Sequence, residues 1–179
     1  MPRWYLLIIY SAPQHVILCW ICTVQFLGSS TCLSICICRI SPGIADLIKT
    51  LKANNTEVFL VSGGFRQMIK PVAFDLGIPT ENIIANQLLF GSSGEYAGFD
   101  PTEPTSRSGG KAVAVQQIRQ DHGYNTLVMI GDGATDLEAR QPGGADLFIC
   151  YAGVQMREAV ATKADWTVFE FQELISELS

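Results

Sequence analysis

Hydrophobic positions follow two different periods along residues 41–179, and their alternation predicts parallel strands separated by helices. Apolar residues recur at helical spacing after Ser41 and Pro42, which suit an N-cap and a first turn. The strands are predicted at residues 57–61, 83–85, 126–130, 147–149 and 166–169. The helices that follow are predicted at 65–76, 110–122, 135–140, 154–161 and 171–178. The sequence therefore predicts an α/β fold, with a Rossmann-like parallel sheet and helices on both faces.

Two local breaks modify this pattern. Pro71 lies inside the helix predicted at 65–76 and is expected to kink or interrupt it. Residues 88–90 and 96–99 are apolar runs on either side of Ser92, Ser93 and Gly94, which predicts a small β-hairpin insertion.

The first 40 residues differ from the remainder. Residues 1–45 contain no Asp or Glu, only two Arg, and five of the six Cys of the chain. We therefore predict a boundary near Ser41, with an atypical apolar segment at 1–40 and the α/β core at 41–179. No apolar run in this segment reaches the ~20 residues that span a bilayer, and it fits neither a secretory signal nor a transit peptide well.

The cysteines of this segment include one Cys-x-x-Cys pair, Cys19 and Cys22, which can indicate zinc or redox chemistry. Their apolar, β-branched surroundings favour small buried hydrophobic residues instead. Cys150 follows a predicted strand and is expected to be buried and reduced. The net charge of −5 and the lack of a Lys/Arg run exclude nucleic acid and disfavour a membrane as partners.

Three polar or glycine-rich segments are expected at the edge of the predicted sheet. Asp132 and Asp136 lie in Gly-Asp-Gly-Ala-Thr-Asp after the strand at 126–130. Paired Asp residues in such a loop are more often turn formers, but at a strand's carboxyl end they also suit Mg²⁺. Ser62, Gly63 and Gly64 offer a hydroxyl and open N–H groups for an anion, or else form a tight turn. Lys111 begins a helix and can add a point charge there, or simply be solvated.

Taken together, these motifs resemble the phosphoserine phosphatases of the haloacid dehalogenase superfamily, and the plant members most. The similarity runs from about Ser41 to the end. It is carried by Val-Ser-Gly-Gly-Phe-Arg (61–66), Gly-Glu-Tyr-Ala-Gly-Phe-Asp (94–100), Ser-Gly-Gly-Lys (108–111) and the loop at 131–136. The resemblance implies Mg²⁺-dependent hydrolysis of O-phospho-L-serine to L-serine and phosphate, in the plastid or the cytoplasm. A homodimer is left open.

The same resemblance implies a role for each matching residue. Ser62 and Gly63 would bind the phosphoryl oxygens, with Gly64 lining the turn, and Lys111 would neutralise charge. Asp132 would bind the metal and Asp136 would support the metal loop. The remaining substrate contacts would come from Thr135 and Arg157.

One part of the family pattern has no counterpart here. The family attacks with an Asp from an Asp-x-Asp motif at the end of the first strand, and a helical cap follows it. This sequence has no acidic residue before Asp46, so little or no turnover is expected. Loss of that central strand would leave its neighbours unpaired, and either residues 6–10 or residues 16–24 are apolar enough to replace it.

Three functions remain compatible with the sequence. The first is a phosphoserine phosphatase. The second is a non-catalytic phosphate-binding or interaction module from a truncated transcript, and the third is a membrane-associated form anchored by residues 4–40.

Overall fold

The computed structural model describes residues 15–19, 22–24 and 38–178. In chain order, its strands are β1 (His15–Cys19), β2 (Cys22–Val24), β3 (Cys38–Ile40), β4 (Glu57–Phe65), β5 (Ile83–Asn86), β6 (Leu88–Phe90), β7 (Tyr96–Phe99), β8 (Thr126–Gly131), β9 (Leu147–Tyr151) and β10 (Trp166–Val168). Six of these strands form one parallel sheet in the order β10-β9-β8-β1-β4-β5. The predicted fold class is confirmed.

Helices connect the parallel strands, because parallel pairing needs a crossover connection from the end of one strand to the start of the next. They are α1 (Ile44–Ala53), α2 (Arg66–Asp75), α3 (Gly110–His122), α4 (Ala134–Leu137), α5 (Glu158–Ala161) and α6 (Phe171–Leu178). Two 3₁₀ turns, Thr80–Asn82 and Pro104–Ser106, lie in the longer connections.

Each face of the sheet has its own apolar core. On one face α1, α2 and α6 pack over alternate residues of β4 and β8, and α1 contributes Ile44, Leu47, Ile48 and Leu51, all at most 1% exposed. On the other face α3 packs through Ala114, Val115 and Ile118, over the side chains that alternate with the first set. Strands buried on both sides explain the continuous apolar runs in the sequence.

The central position of the sheet is occupied by β1, which pairs in parallel with both β4 and β8. The expectation that residues 16–24 fill this slot is therefore correct as far as Cys19. Beyond it the segment leaves the sheet, and β2 pairs in antiparallel fashion with β3. The alternative at residues 6–10 lies outside the described residues, and the domain boundary near Ser41 stays a prediction.

Several sequence-based details of the helices differ from the structure. The first helix is not capped by Ser41. It begins after Gly43, whose φ of +82° is left-handed, and the Ser41 carbonyl accepts only the N–H of Ile44. Pro71 does not interrupt α2, which continues to Asp75, whereas the alternative of a kink at Pro71 stays a prediction. Pro71 and Gln67 are both exposed, so water can bond the Gln67 carbonyl that Pro71 leaves without its helical partner.

The helix predicted at 154–161 is also shorter than expected, because it begins only at Glu158. Val154 and Met156 are more than half exposed, so they provide no buried face for a helical turn. The hairpin of β6 and β7 is confirmed, and Cys150 is a buried free thiol as expected. Within the described ranges, no helix is both long and apolar enough to cross a bilayer.

Candidate functional site

The predicted site residues lie at the edge of the sheet where the parallel strands end. β4 carries Ser62, Gly63 and Gly64 near its end, and β8 runs directly into Asp132. The central strand β1 lies between them, with Cys19 opposite Leu60 and Ile130. Crevices at such strand ends are the usual ligand sites of open α/β sheets.

The loop after β8 is shaped by a buried carboxylate. Asp136, which is 1% exposed, accepts the N–H of Gly133 at 3.0 Å through Oδ2. A Cβ at Gly131 would lie 2.4 Å from Cγ of Asp136, so only glycine allows the carboxylate to approach this closely. Gly131 at the end of β8 therefore leaves room for the buried Asp136 side chain, which holds the loop through its hydrogen bond with Gly133.

Lys111 forms an ion pair with Asp136 across two elements of the fold. Its Nζ lies 2.6 Å from Oδ1 of Asp136, and the two side chains are 10% and 1% exposed. Burial raises the pKa of Asp136, although the Lys111 ammonium and the Gly133 N–H act in the opposite direction. Both oxygens of Asp136 are therefore engaged by the protein, and the ammonium of Lys111 is fixed next to the loop.

Asp132 and Arg157 form the outer part of the site. The Nε of Arg157 lies 3.9 Å from Oδ2 of Asp132, whose side chain is 24% exposed. Gln155 accepts a hydrogen bond from Arg157 at 3.1 Å. Thr135, in the first turn of α4, is exposed at the same edge. Asp132 is thus the carboxylate of this loop that remains open to a cation from solvent.

Ser62, Gly63 and Gly64 are not the tight turn predicted as one of their alternatives. They continue β4, with Ser62 opposite Ala85 and Phe65 opposite Asn86, and an irregularity in the register between these pairs accommodates the two glycines. The Ser62 side chain is buried, and its Oγ accepts the N–H of Gly64 at 2.9 Å. Such bulges at strand ends redirect the backbone and often lie beside functional sites.

The described contacts thus form two charged pairs, Lys111 with Asp136 and Arg157 with Asp132. The negative charge of Asp132 also acts on Asp136. Sequence reasoning missed Gln155, which holds Arg157, and also Asn86 and Thr105, which hold Gly63. The hydrogen bonds of Asn86 and Thr105 reach residues 19 or 23 positions away in the sequence, so no local pattern could indicate them. Gln155 is only two residues from Arg157, but it belongs to no recognisable motif.

The residues of this edge fit a magnesium ion in their chemistry. Mg²⁺ is bound through one or two carboxylates together with water and phosphate oxygens, and Asp132 supplies such a carboxylate beside a fixed ammonium. No group of three or more His, Cys, Asp or Glu in the described parts of the chain could hold a metal by itself. The donor set therefore suits a cation that shares its coordination with a phosphate rather than an all-protein cage.

Comparison with known proteins extends this assignment. Residues 33–140 match the family model of haloacid dehalogenase-like hydrolases. The chain is 71% identical over 140 residues to the chloroplastic phosphoserine phosphatase of Arabidopsis thaliana, covering 78% of this chain and 48% of that protein. It is 46% identical over 140 residues to the phosphoserine phosphatase of Rattus norvegicus, with coverages of 78% and 61%.

A solved structure of a similarly named protein has a similar fold. The crystal structure of a phosphoserine phosphohydrolase-like protein from Francisella tularensis subsp. tularensis SCHU S4 superposes with a TM-score of 0.66 at 29% identity, covering 76% of this chain and 62% of that one. The chain therefore spans between about half and two thirds of the length of the relatives it matches.

Proposed function

The chain belongs to the family of haloacid dehalogenase-like hydrolases, and we propose that it forms the phosphate- and magnesium-binding half of a phosphoserine phosphatase site. The observation that carries this proposal is the buried pair of Lys111 and Asp136 behind the open carboxylate of Asp132. A buried ammonium held beside a cation-binding carboxylate is an arrangement that stabilises a phosphoryl group by charge.

The substrate that we propose is O-phospho-L-serine, the phosphomonoester implied by the names of the relatives in Arabidopsis and rat. Ser62 and the backbone of Gly63 would bind the phosphoryl oxygens, and Gly64 would line the same strand end. Lys111 would neutralise their charge. The exposed side chains of Thr135 and Arg157 would contact the rest of the substrate.

Magnesium would be bound by Asp132, and Asp136 would hold the loop that carries Asp132. When bound, the ion would neutralise charge on the phosphoryl group and help to orient it. Asp136 itself would not need to contact the metal, since Lys111 and Gly133 already occupy its oxygens.

We further propose that turnover is strongly reduced. The central strand β1 ends at Cys19, between the strands that carry Ser62 and Asp132. The sequence around this end is Cys-Trp-Ile-Cys, and no Asp or Glu precedes Asp46. Without a carboxylate there, both the attacking oxygen and the proton donor of the family's reaction are lacking, which typically reduces the rate by several powers of ten.

The proposal is tested by two measurements on the full chain. Calorimetric titration with inorganic phosphate should show binding that strengthens when Mg²⁺ is present. A phosphate-release assay with O-phosphoserine and Mg²⁺ should show little turnover. Fast release that is lost in Asp132→Asn would contradict the claim of reduced turnover, and no phosphate binding at all would contradict the proposed site.

A second candidate is a non-catalytic interaction module. The observation in its favour is the exposed apolar face of the hairpin, where Phe90, Tyr96 and Phe99 are at least half exposed. Such a module would not require phosphate, so the same titration separates the two functions. A plastid location is proposed from the chloroplastic relative, whereas a homodimer and a membrane anchor at residues 4–40 stay predictions.

A further inference from the structure

We infer that Asn86 and Thr105 are positioning residues, which fix the backbone of Gly63 and Gly64 so that it can bind a phosphate. This inference rests on the proposed function, because it concerns the anion-binding side of the same site. Neither residue carries charge and neither is part of a recognisable motif.

The peptide unit between Gly63 and Gly64 is held at both of its ends by side chains. The amide of Asn86 donates from Nδ2 to the carbonyl of Gly63 at 2.7 Å. The N–H of Gly64 donates to Oγ of Ser62 at 2.9 Å. Rotation of this peptide unit would break both hydrogen bonds, so the two contacts together restrict the backbone of Gly63 and Gly64 to one orientation.

Packing cannot supply this constraint. Gly63 is exposed, and a Cβ built on it would meet no atom within 4 Å. Two successive glycines also have more conformational freedom than any other pair of residues. An anion site made from such backbone needs an external constraint, because ordering it only when the ligand binds would reduce the affinity.

Thr105 determines which way the Asn86 amide points. A carbonyl can only accept, so the group of Asn86 that faces Gly63 must be the NH₂. Its Oδ1 then faces the hydroxyl of Thr105, which donates to it at 3.0 Å. Thr105 is buried, at 7% exposed, so an unpaired hydroxyl would be unfavourable there and the Asn86 orientation is reinforced.

The loop that carries Thr105 is itself fixed on two sides. Glu103 forms an ion pair with Arg66 at 2.6 Å, and Arg66 also donates to the carbonyl of Ile83 in β5 at 2.6 Å. On the other side, a Cβ at Gly110 would lie 2.0 Å from the Pro104 carbonyl, so the loop packs directly on the first turn of α3. The same loop thus connects the helix that carries Lys111 with the backbone of Gly63.

The chain offers a matched control for Asn86. Asn82 also donates from Nδ2 to a carbonyl of β4, that of Val58 at 3.1 Å, but near the other end of the strand. Asn86→Ala and Asn82→Ala therefore remove the same kind of hydrogen bond from the same strand. Thr105→Val removes the hydroxyl with little change in volume, and Thr105→Ser retains it.

The experiment is a calorimetric titration of the full chain with inorganic phosphate in the presence of Mg²⁺. It is combined with amide NMR spectra of the free protein. Asn86→Ala and Thr105→Val should each weaken phosphate binding by about three- to tenfold, the equivalent of one hydrogen bond. Both should shift the amide resonances of Gly63 and Gly64. Thr105→Ser should retain wild-type affinity, and Asn82→Ala should retain both affinity and glycine resonances.

Equal phosphate affinity in wild type, Asn86→Ala and Thr105→Val would overturn the inference while leaving the proposed function intact. An equal loss in Asn82→Ala would also overturn it, because the effect would then be one of general stability. Failure of the wild-type chain to bind phosphate would instead refute the proposed function and this inference with it.

Discussion

At the edge where the strands begin, carboxylates hold the backbone of the neighbouring strand, whereas at the edge where they end a carboxylate is left open to solvent. Asp146 accepts the N–H of Leu127 at 2.8 Å and pairs with Arg119. Asp165 accepts the N–H of Phe148 at 2.9 Å and pairs with Arg140. Each of these carboxylates directly precedes one strand and bonds the neighbouring strand that comes before it in the chain, so the two carboxylates hold β8, β9 and β10 in register.

The carboxyl edge combines the same residue types differently. Asp136 is satisfied by Lys111 and Gly133, as completely as the carboxylates of the opposite edge. Among the described residues, Asp132 has only the distant contact to Arg157, at 3.9 Å. The comparison shows which acidic side chains indicate a binding site. They are the ones whose carboxylate oxygens are held at a strand end but accept no close hydrogen bond from the protein.

The largest effect is expected from breaking the buried pair. Lys111→Met should reduce the free energy of unfolding by about 3–5 kcal/mol, because Asp136 is left as a buried charge without its partner. Urea unfolding at neutral pH measures the change. The double variant Lys111→Met with Asp136→Asn should recover part of the loss, since the uncompensated charge is gone. A single variant as stable as wild type would show that the pair is not buried.

A smaller effect is expected at the opposite edge. Asp165→Ala should reduce the free energy of unfolding by about 1–3 kcal/mol, because the N–H of the buried residue Phe148 loses its acceptor. Arg140→Met removes only the partly exposed partner of the ion pair, and should reduce it by less than about 1 kcal/mol. Chemical unfolding of both variants compares the two contributions. Equal losses would mean that the ion pair with Arg140, and not the hydrogen bond from the Phe148 N–H, accounts for the contribution of Asp165 to stability.

The smallest effect concerns Tyr124, which donates a hydrogen bond to Glu57. Burial and the nearby carboxylate raise the pKa of the Tyr124 phenol above its ordinary value of 10.0. The folded state thus keeps a proton that the unfolded state loses. Stability from this source is present below about pH 10 and declines as the pH rises further.

Tyr124→Phe should therefore unfold with a shallower dependence on pH above about pH 10 than the wild type. Urea midpoints across that range measure the dependence, and the same midpoints at neutral pH report the loss of one hydrogen bond. Parallel curves for the two proteins would contradict the assignment.

Much of the fold could be predicted from the sequence, because the signals are local. The apolar period of residues 44–51 predicts α1, and the runs at 126–130 and 147–149 predict buried strands. The continuation of β4 through Gly63 and Gly64 could not be predicted, since pairing with β5 across an irregular register decides it. The start of α5 depends likewise on tertiary exposure, which no local pattern contains.

The site was predictable in part for the same reason. The glycine-rich loop at 131–136 follows a predicted strand, and this pattern indicates Asp132 and Asp136 as candidate site residues. One oxygen of Asp136 is bound by Lys111, which is 25 residues away in the sequence. The carbonyl of Gly63 is bound by Asn86, which is 23 residues away. These contacts follow from the fold alone.

The most direct test of the difference between the two edges is the Mg²⁺-dependent affinity for inorganic phosphate of Asp132→Asn and Asp146→Asn, measured side by side by calorimetry. Each variant removes one carboxylate charge, at opposite ends of the sheet. Asp132→Asn should lose at least about tenfold in affinity, and Asp146→Asn should bind as the wild type does. Equal affinities in the two variants would contradict the account.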